Sequence, residues 1–123
     1  MRGATPQRID NLRVMTMFSH NTVRLTGNLG ADPEVRHFES GSMKAQFSLA
    51  VYAGKDRPSE WFDCEAWGKT AERVAQMARK GYRVAIAGSL KQERWQAQDG
   101  ANRSKVVVNA ESFDILQSIK AAT

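Results

Sequence analysis

Cysteine and histidine are nearly absent from this 123-residue chain: Cys64 stands alone, and His20 and His37 are the only imidazoles. No internal disulfide can form and no Cys/His cluster exists to hold zinc, so neither a metal nor another cofactor is expected. A chain of this length buries roughly two thirds of its unfolded surface and needs neither kind of staple. Uncharged apolar runs are only a few residues long, far short of the ~20 that span a bilayer. The first twenty residues also lack the continuous apolar stretch of a secretory signal. A reducing, cytoplasmic setting is the simplest expectation, with organellar targeting by residues 1–20 as the minority alternative. The 41% hydrophobic and 25% charged fractions exclude a disordered or collagen-like chain.

Acidic residues are the minority: 13 against 18 basic, for a net charge of +5. The surplus is local. Residues 69–105 hold nine basic and three acidic residues (+6), whereas residues 21–68 hold five and seven (−2). A polyanionic partner is expected to meet the second half of the domain first.

Residues 1–20 show no clean period and read as a flexible arm, with Met17 an alternative start to Met1. Beyond them the period is two. In 22–29, Val23, Leu25 and Leu29 alternate with polar residues. In 43–52, Met43, Ala45, Phe47, Leu49 and Val51 do the same, and in 82–90, Tyr82, Val84, Ile86 and Leu90 share a face. Segment 103–113 is a further strand whose inward face is hidden by the run Val106-Val107-Val108. Breakers separate these runs at Gly30 to Pro33, Ser40-Gly41, Gly54 to Ser59 and Asp99-Gly100, the last a hairpin signal. One helix interrupts them, with Thr70 as candidate cap, Glu72 near its positive end, Ala71, Val74, Ala75 and Ala78 as its apolar stripe, and Gly81 as its stop. Three strands, a short helix and two strands make an all-β chain, an order compatible with the OB-fold, a five-stranded barrel with the helix between strands 3 and 4.

Residues 60–68, Glu-Trp-Phe-Asp-Cys-Glu-Ala-Trp-Gly, carry the functional signal. Two carboxylates on one face argue against that face being the dry core, so Phe62, Cys64 and Ala66 are expected inside. Trp61, Asp63, Glu65 and Trp67 then face solvent. Leaving two indoles exposed forgoes roughly 1.5–3 kcal/mol of burial each, which suggests that a partner covers them. The competing reading packs them under a loop or in an oligomer interface. Trp95 lies on the arm leading to Asp99-Gly100, among Lys91, Arg94, Arg103 and Lys105. Aromatic platforms beside cations suit single-stranded nucleic acid, since unpaired bases offer their faces for stacking at roughly 1–3 kcal/mol each and cations neutralise phosphates.

These residues resemble the bacterial and organellar single-stranded DNA-binding proteins. The resemblance covers residues 21–116: Asn21-Thr-Val-Arg-Leu-Thr-Gly-Asn-Leu-Gly-Ala-Asp-Pro-Glu-Val-Arg36, Glu60 to Glu72, Ala78-Arg-Lys-Gly81, Val84 to Leu90 and Gln98-Asp-Gly100. It implies an OB-fold domain that assembles as a homotetramer, associates with the nucleoid and wraps single-stranded DNA without sequence preference, in support of replication, recombination and repair. The family's stacking positions fall on Trp61, Trp67 and Trp95. Its phosphate-contacting positions match Lys69, Lys80 and Lys91, and the hairpin adds Arg94, Arg103 and Lys105. Apolar Phe62, Val107 and Phe113 are candidates for a subunit contact.

Three departures qualify the resemblance. The loop Ala53 to Ser59 lacks a tryptophan found in some members, and Tyr52 is the candidate substitute. Asp63 and Glu65 are expected to repel phosphates, favouring contact with bases over backbone. Residues 117–123 lack the family's acidic tip, so partnership with replication and repair proteins is not carried over. A tail-less accessory protein of the same fold, primosome-type or RNA-binding, is the alternative. Catalysis is not expected: Asp32, Glu34, His37 and Glu39 offer no nucleophile–base pair, and Cys64 reads as core packing.

Overall fold

The computed structural model describes residues 21–118, so the expected arm (1–20) and the end of the chain lie outside the described residues. Six strands and one helix follow in order: β1 (Val23–Leu29), β2 (Glu34–His37), β3 (Met43–Val51), β4 (Glu60–Trp67), α1 (Gly68–Met77), β5 (Arg83–Gln96) and β6 (Asn102–Gln117). Five of the strands close a ring. β1 pairs with β5, β5 with β6, β6 with β4, β4 with β3, and β3 returns to β1 through Asn28–Ala50 and Leu29–Leu49. The sixth, β2, pairs with the first half of β3 beside that closure. It is the strand that the sequence leaves unread, because every residue of it is exposed and no alternation marks it. The expected barrel is present, with α1 between its third and fourth ring strands.

The inward set forms one core of Leu29, Phe47, Leu49, Cys64, Val84, Ile86, Val108 and Phe113, capped by Ala71, Val74 and Ala78 of the helix and its exit. Gly27 occupies the inner row of β1 where β3 crosses it, and a Cβ there would run into the Ala50 carbonyl oxygen and the Leu49 side chain. A side chain at that position would force the seam apart.

The unreadable face of β6 has a cause. Gly88 is opposite Ala110, but Ala87 is opposite Ser112, so Glu111 is an extra residue in the ladder. That bulge reverses the inward parity, from Val108 and Ala110 before it to Phe113 and Ile115 after it. Thr70 does not cap α1, whose first turn has no side-chain cap. Its hydroxyl instead donates to the Glu111 carbonyl at 3.2 Å, tying the start of the helix to the bulge. Gly81 does not stop the helix, which ends at Met77 with Ala78 as its extended C-cap; the glycine instead turns the chain toward β5, with φ +86° and its N–H on the Leu29 carbonyl.

Two expected inward residues turn out exposed. β4 and β6 pair only at Cys64–Val108 and Glu65–Asn109, and before that level they diverge. Phe62 of β4 and Leu90 of β5, together with Val106, therefore line an open groove instead of the core. Conversely Val107 and Phe113, expected as subunit contacts, are buried within the chain.

Candidate nucleic-acid interface

The outer face of β4 carries a tryptophan at each end. Trp61 is 60% exposed. Its indole lies across Gly30 so closely that a Cβ on that glycine would come 2.5 Å from Cζ3. Glycine provides a flat bed here, and the ring rests on backbone with one side open. Tyr52, just past the end of β3, is 73% exposed.

Trp67, 39% exposed, is held quite differently. Phe38 stacks on it at 5.7 Å between ring centroids and 20° between planes. The ammonium groups of Lys44 and Lys91 lie 5.3 and 5.7 Å from its centroid, within the range of cation–π attraction. Its Nε1–H donates to Glu65 Oε2 at 3.0 Å.

Glu65 departs from the sequence expectation. It does face the outside of the barrel, yet it is only 1% exposed. Side chains from β3 and, across β6, from β5 close over it: Lys91 Nζ donates to Oε2 at 2.9 Å, and Lys44 Nζ stands 3.4 Å from Oε1. Burial by itself pushes this carboxyl up, but the bonds from Lys91 and Trp67 and the charges of Lys44 and Lys91 outweigh it and hold the group below its ordinary value. The anion is thus doubly compensated. Asp63 is paired too, with Lys105 at 3.4 Å. The acidic pair expected to repel phosphate is neutralised, because the outer-face lysines of β3, β5 and β6 sit beside it.

Beyond the ring of strands, β5 and β6 run on as a hairpin. Its turn is a three-residue loop, closed by the Ala97 N–H on the Ala101 carbonyl, with Gly100 at φ +87°. Glycine takes the left-handed position that such loops require. Trp95, 44% exposed, pairs across the hairpin with Arg103, and Arg94 pairs with Ser104. Arg103 reaches Asp99 at 3.3 Å. Three of the six expected phosphate contacts, Lys91, Arg103 and Lys105, are therefore engaged by carboxylates. Lys69, Lys80 and Arg94 are exposed and pair with no carboxylate among the described residues. Lys69 lies in the first turn of α1, and the backbone N–H of Lys80 is fixed by Asp32 Oδ1 at 2.8 Å. That bond gives Asp32 a structural role. Cys64 is in the core, where burial first and the neighbouring Asp63 second push its thiol up to about 12. A thiol with so little thiolate is a poor nucleophile.

Sequence reasoning missed Gly30, Phe38 and Lys44. Lys44 could have been found only by knowing the register, which puts it directly opposite Trp67. Phe38 lies just past β2, in a stretch with no periodic signal.

The chain is similar in sequence to known proteins. The chain is 49% identical over 100 residues to the single-stranded DNA-binding protein of Thermosynechococcus vestitus, covering 80% of this chain and 83% of that protein. To single-stranded DNA-binding protein 1 of Synechocystis it is 44% identical over 104 residues, covering 81% and 86%. To the single-stranded DNA-binding protein of Clostridium perfringens it is 40% identical over 100 residues, covering 80% and 67%. The single-strand binding protein family model matches residues 20–116, and with that span and these identities the chain belongs to the single-strand binding protein family.

Proposed function

We propose that this chain binds single-stranded DNA without sequence preference, in the service of replication, recombination and repair, and that it is not an enzyme. The observation that carries the reading is the set of three exposed indoles, Trp61, Trp67 and Trp95, on the outer face of β4 and the projecting hairpin. Unpaired bases stack on them, with Tyr52 a fourth platform, and a duplex hides the base faces that such stacking needs. Lys69, Lys80 and Arg94 supply free charge for phosphates. Lys91, Arg103 and Lys105 contribute what their carboxylate partners leave. The binding unit is residues 21–116, and its setting is the cytoplasmic nucleoid; among the described residues no helix is long and apolar enough to cross a membrane.

Titration with oligo-dT tests the reading. Tryptophan emission should be quenched strongly, and the affinity should fall as salt rises. Emission that stays unchanged at low salt removes the proposal. A parallel titration with an RNA oligomer tests the preference, which should favour DNA.

The protein works as a homotetramer. Support comes from the family resemblance and from the apolar groove of Phe62, Leu90 and Val106, which the chain leaves open. Sedimentation should give four subunits; a stable monomer at micromolar concentration contradicts it.

A further inference from the structure

Glu65 does something that single-strand binding by itself does not require. A carboxylate on the outer surface of a barrel normally remains hydrated, because withdrawing it from water is costly. Here it is covered, and what covers it is the machinery of one end of the proposed interface: the Trp67 indole edge at 3.0 Å, Lys91 at 2.9 Å and Lys44 at 3.4 Å. Oε2 takes two donors, and Oε1 takes no hydrogen bond, only the Lys44 charge. The side chains of Trp67, Lys44 and Lys91 are thus organised about a single anion, with both ammonium groups close to the same ring.

We propose that Glu65 is a positioning residue which locks the Trp67 indole in one orientation and withholds Lys44 and Lys91 from the phosphate backbone. The inference rests on the reading that this face binds single-stranded DNA. An indole whose N–H is bonded to a fixed anion cannot swing about its side-chain torsions, so its exposed surface is ready for a base without further ordering. The same anion offsets two cations that would otherwise meet phosphates and release counterions. This end of the interface therefore binds chiefly by stacking, and the salt dependence of binding comes mainly from Lys69, Lys80 and the hairpin.

Glu65→Gln separates the two duties. It is nearly isosteric and keeps an oxygen for the indole, but it removes the charge that holds the lysines. Against oligo-dT, the slope of log K against log salt should steepen by about 0.7 for each lysine released, so by up to about 1.4. The Trp67 indole N–H resonance should also move, because its acceptor has lost its charge. Glu65→Asp keeps the charge but shortens the reach. It should hold the slope near that of the wild type while shifting the same resonance. A folded Glu65→Gln protein with an unchanged slope or an unmoved Trp67 resonance overturns the proposal. If that variant does not fold, a Glu65→Asp protein whose Trp67 resonance stays put overturns it equally. If the wild type fails to bind oligo-dT at low salt, the reading of the interface falls instead, and the resonance comparison still decides whether Glu65 holds the indole.

Discussion

Trp61 and Trp67 stand at the two ends of β4, on the same side of the same strand, yet they are held by opposite means. Trp61 rests on a glycine and is mostly exposed, whereas Trp67 is stacked on Phe38, bonded to a buried carboxylate and flanked by two lysines. Strand alternation gives the side on which a residue lies. What covers it is decided by neighbouring strands: Ala50 is opposite Trp61, while Lys44 is opposite Trp67. A small partner leaves a ring open, and a long cationic partner encloses it.

The largest contrast should come from truncating each ring. Trp67→Ala should weaken oligo-dT binding by about 1–3 kcal/mol and also lower unfolding stability by roughly 1–2 kcal/mol, since the ring is partly buried in a packed cluster. Trp61→Ala should cost the same in affinity with a stability change within about 0.5 kcal/mol. Calorimetric melting beside fluorescence titration reads both, and equal stability losses would erase the contrast. The bed of Trp61 is the next target. Gly30→Val should displace the indole, weaken binding by about 1 kcal/mol and red-shift Trp61 emission in a variant with the other two tryptophans replaced by Phe. Normal affinity would mean that ring placement at this end is immaterial.

Acid should distinguish the two ends as well. Glu65 is held below its ordinary 4.5 in the folded protein, so it contributes stability that is present above that pH and lost as pH falls through its depressed folded value. Wild-type melting temperature should therefore drop more steeply over that acid range than that of Glu65→Gln. Identical acid limbs in the two proteins would deny the carboxylate its stabilising part. The smallest effect concerns charge on the hairpin. Arg94→Gln should reduce the salt slope by about 0.7, and Arg103→Gln by less, because Asp99 already offsets Arg103 at 3.3 Å. Equal reductions would show that the Asp99 pair opens on binding.

Much of the barrel was legible because most of its strands bury one face and leave the other wet. β1, β3 and the first half of β5 gave clean alternation, and α1 announced itself by Ala71, Val74 and Ala78. β2 left no trace, since a strand exposed on all its residues has no reason to alternate. β6 was ambiguous for a different reason: the extra residue Glu111 shifts parity midway, and no local pattern records a bulge. At the candidate interface, the exposure of the three indoles could be read from alternation and charge. The surroundings of Glu65 could not, because burial there comes from side chains on three different strands. Two carboxylates on one face argued for a wet surface, and the lysines beside them overruled that argument.

The ring of strands is fastened by two short seams, the antiparallel pair of contacts between β1 and β3 and the parallel pair between β4 and β6. Long ladders elsewhere spread the cost of opening over many bonds, whereas each seam stakes it on a few. Loosening of the cylinder should therefore start along those lines, and one of them runs through Glu65 itself. The amide protons flanking Asn109 and Ala50 are where the first exchange with solvent inside the barrel is to be looked for.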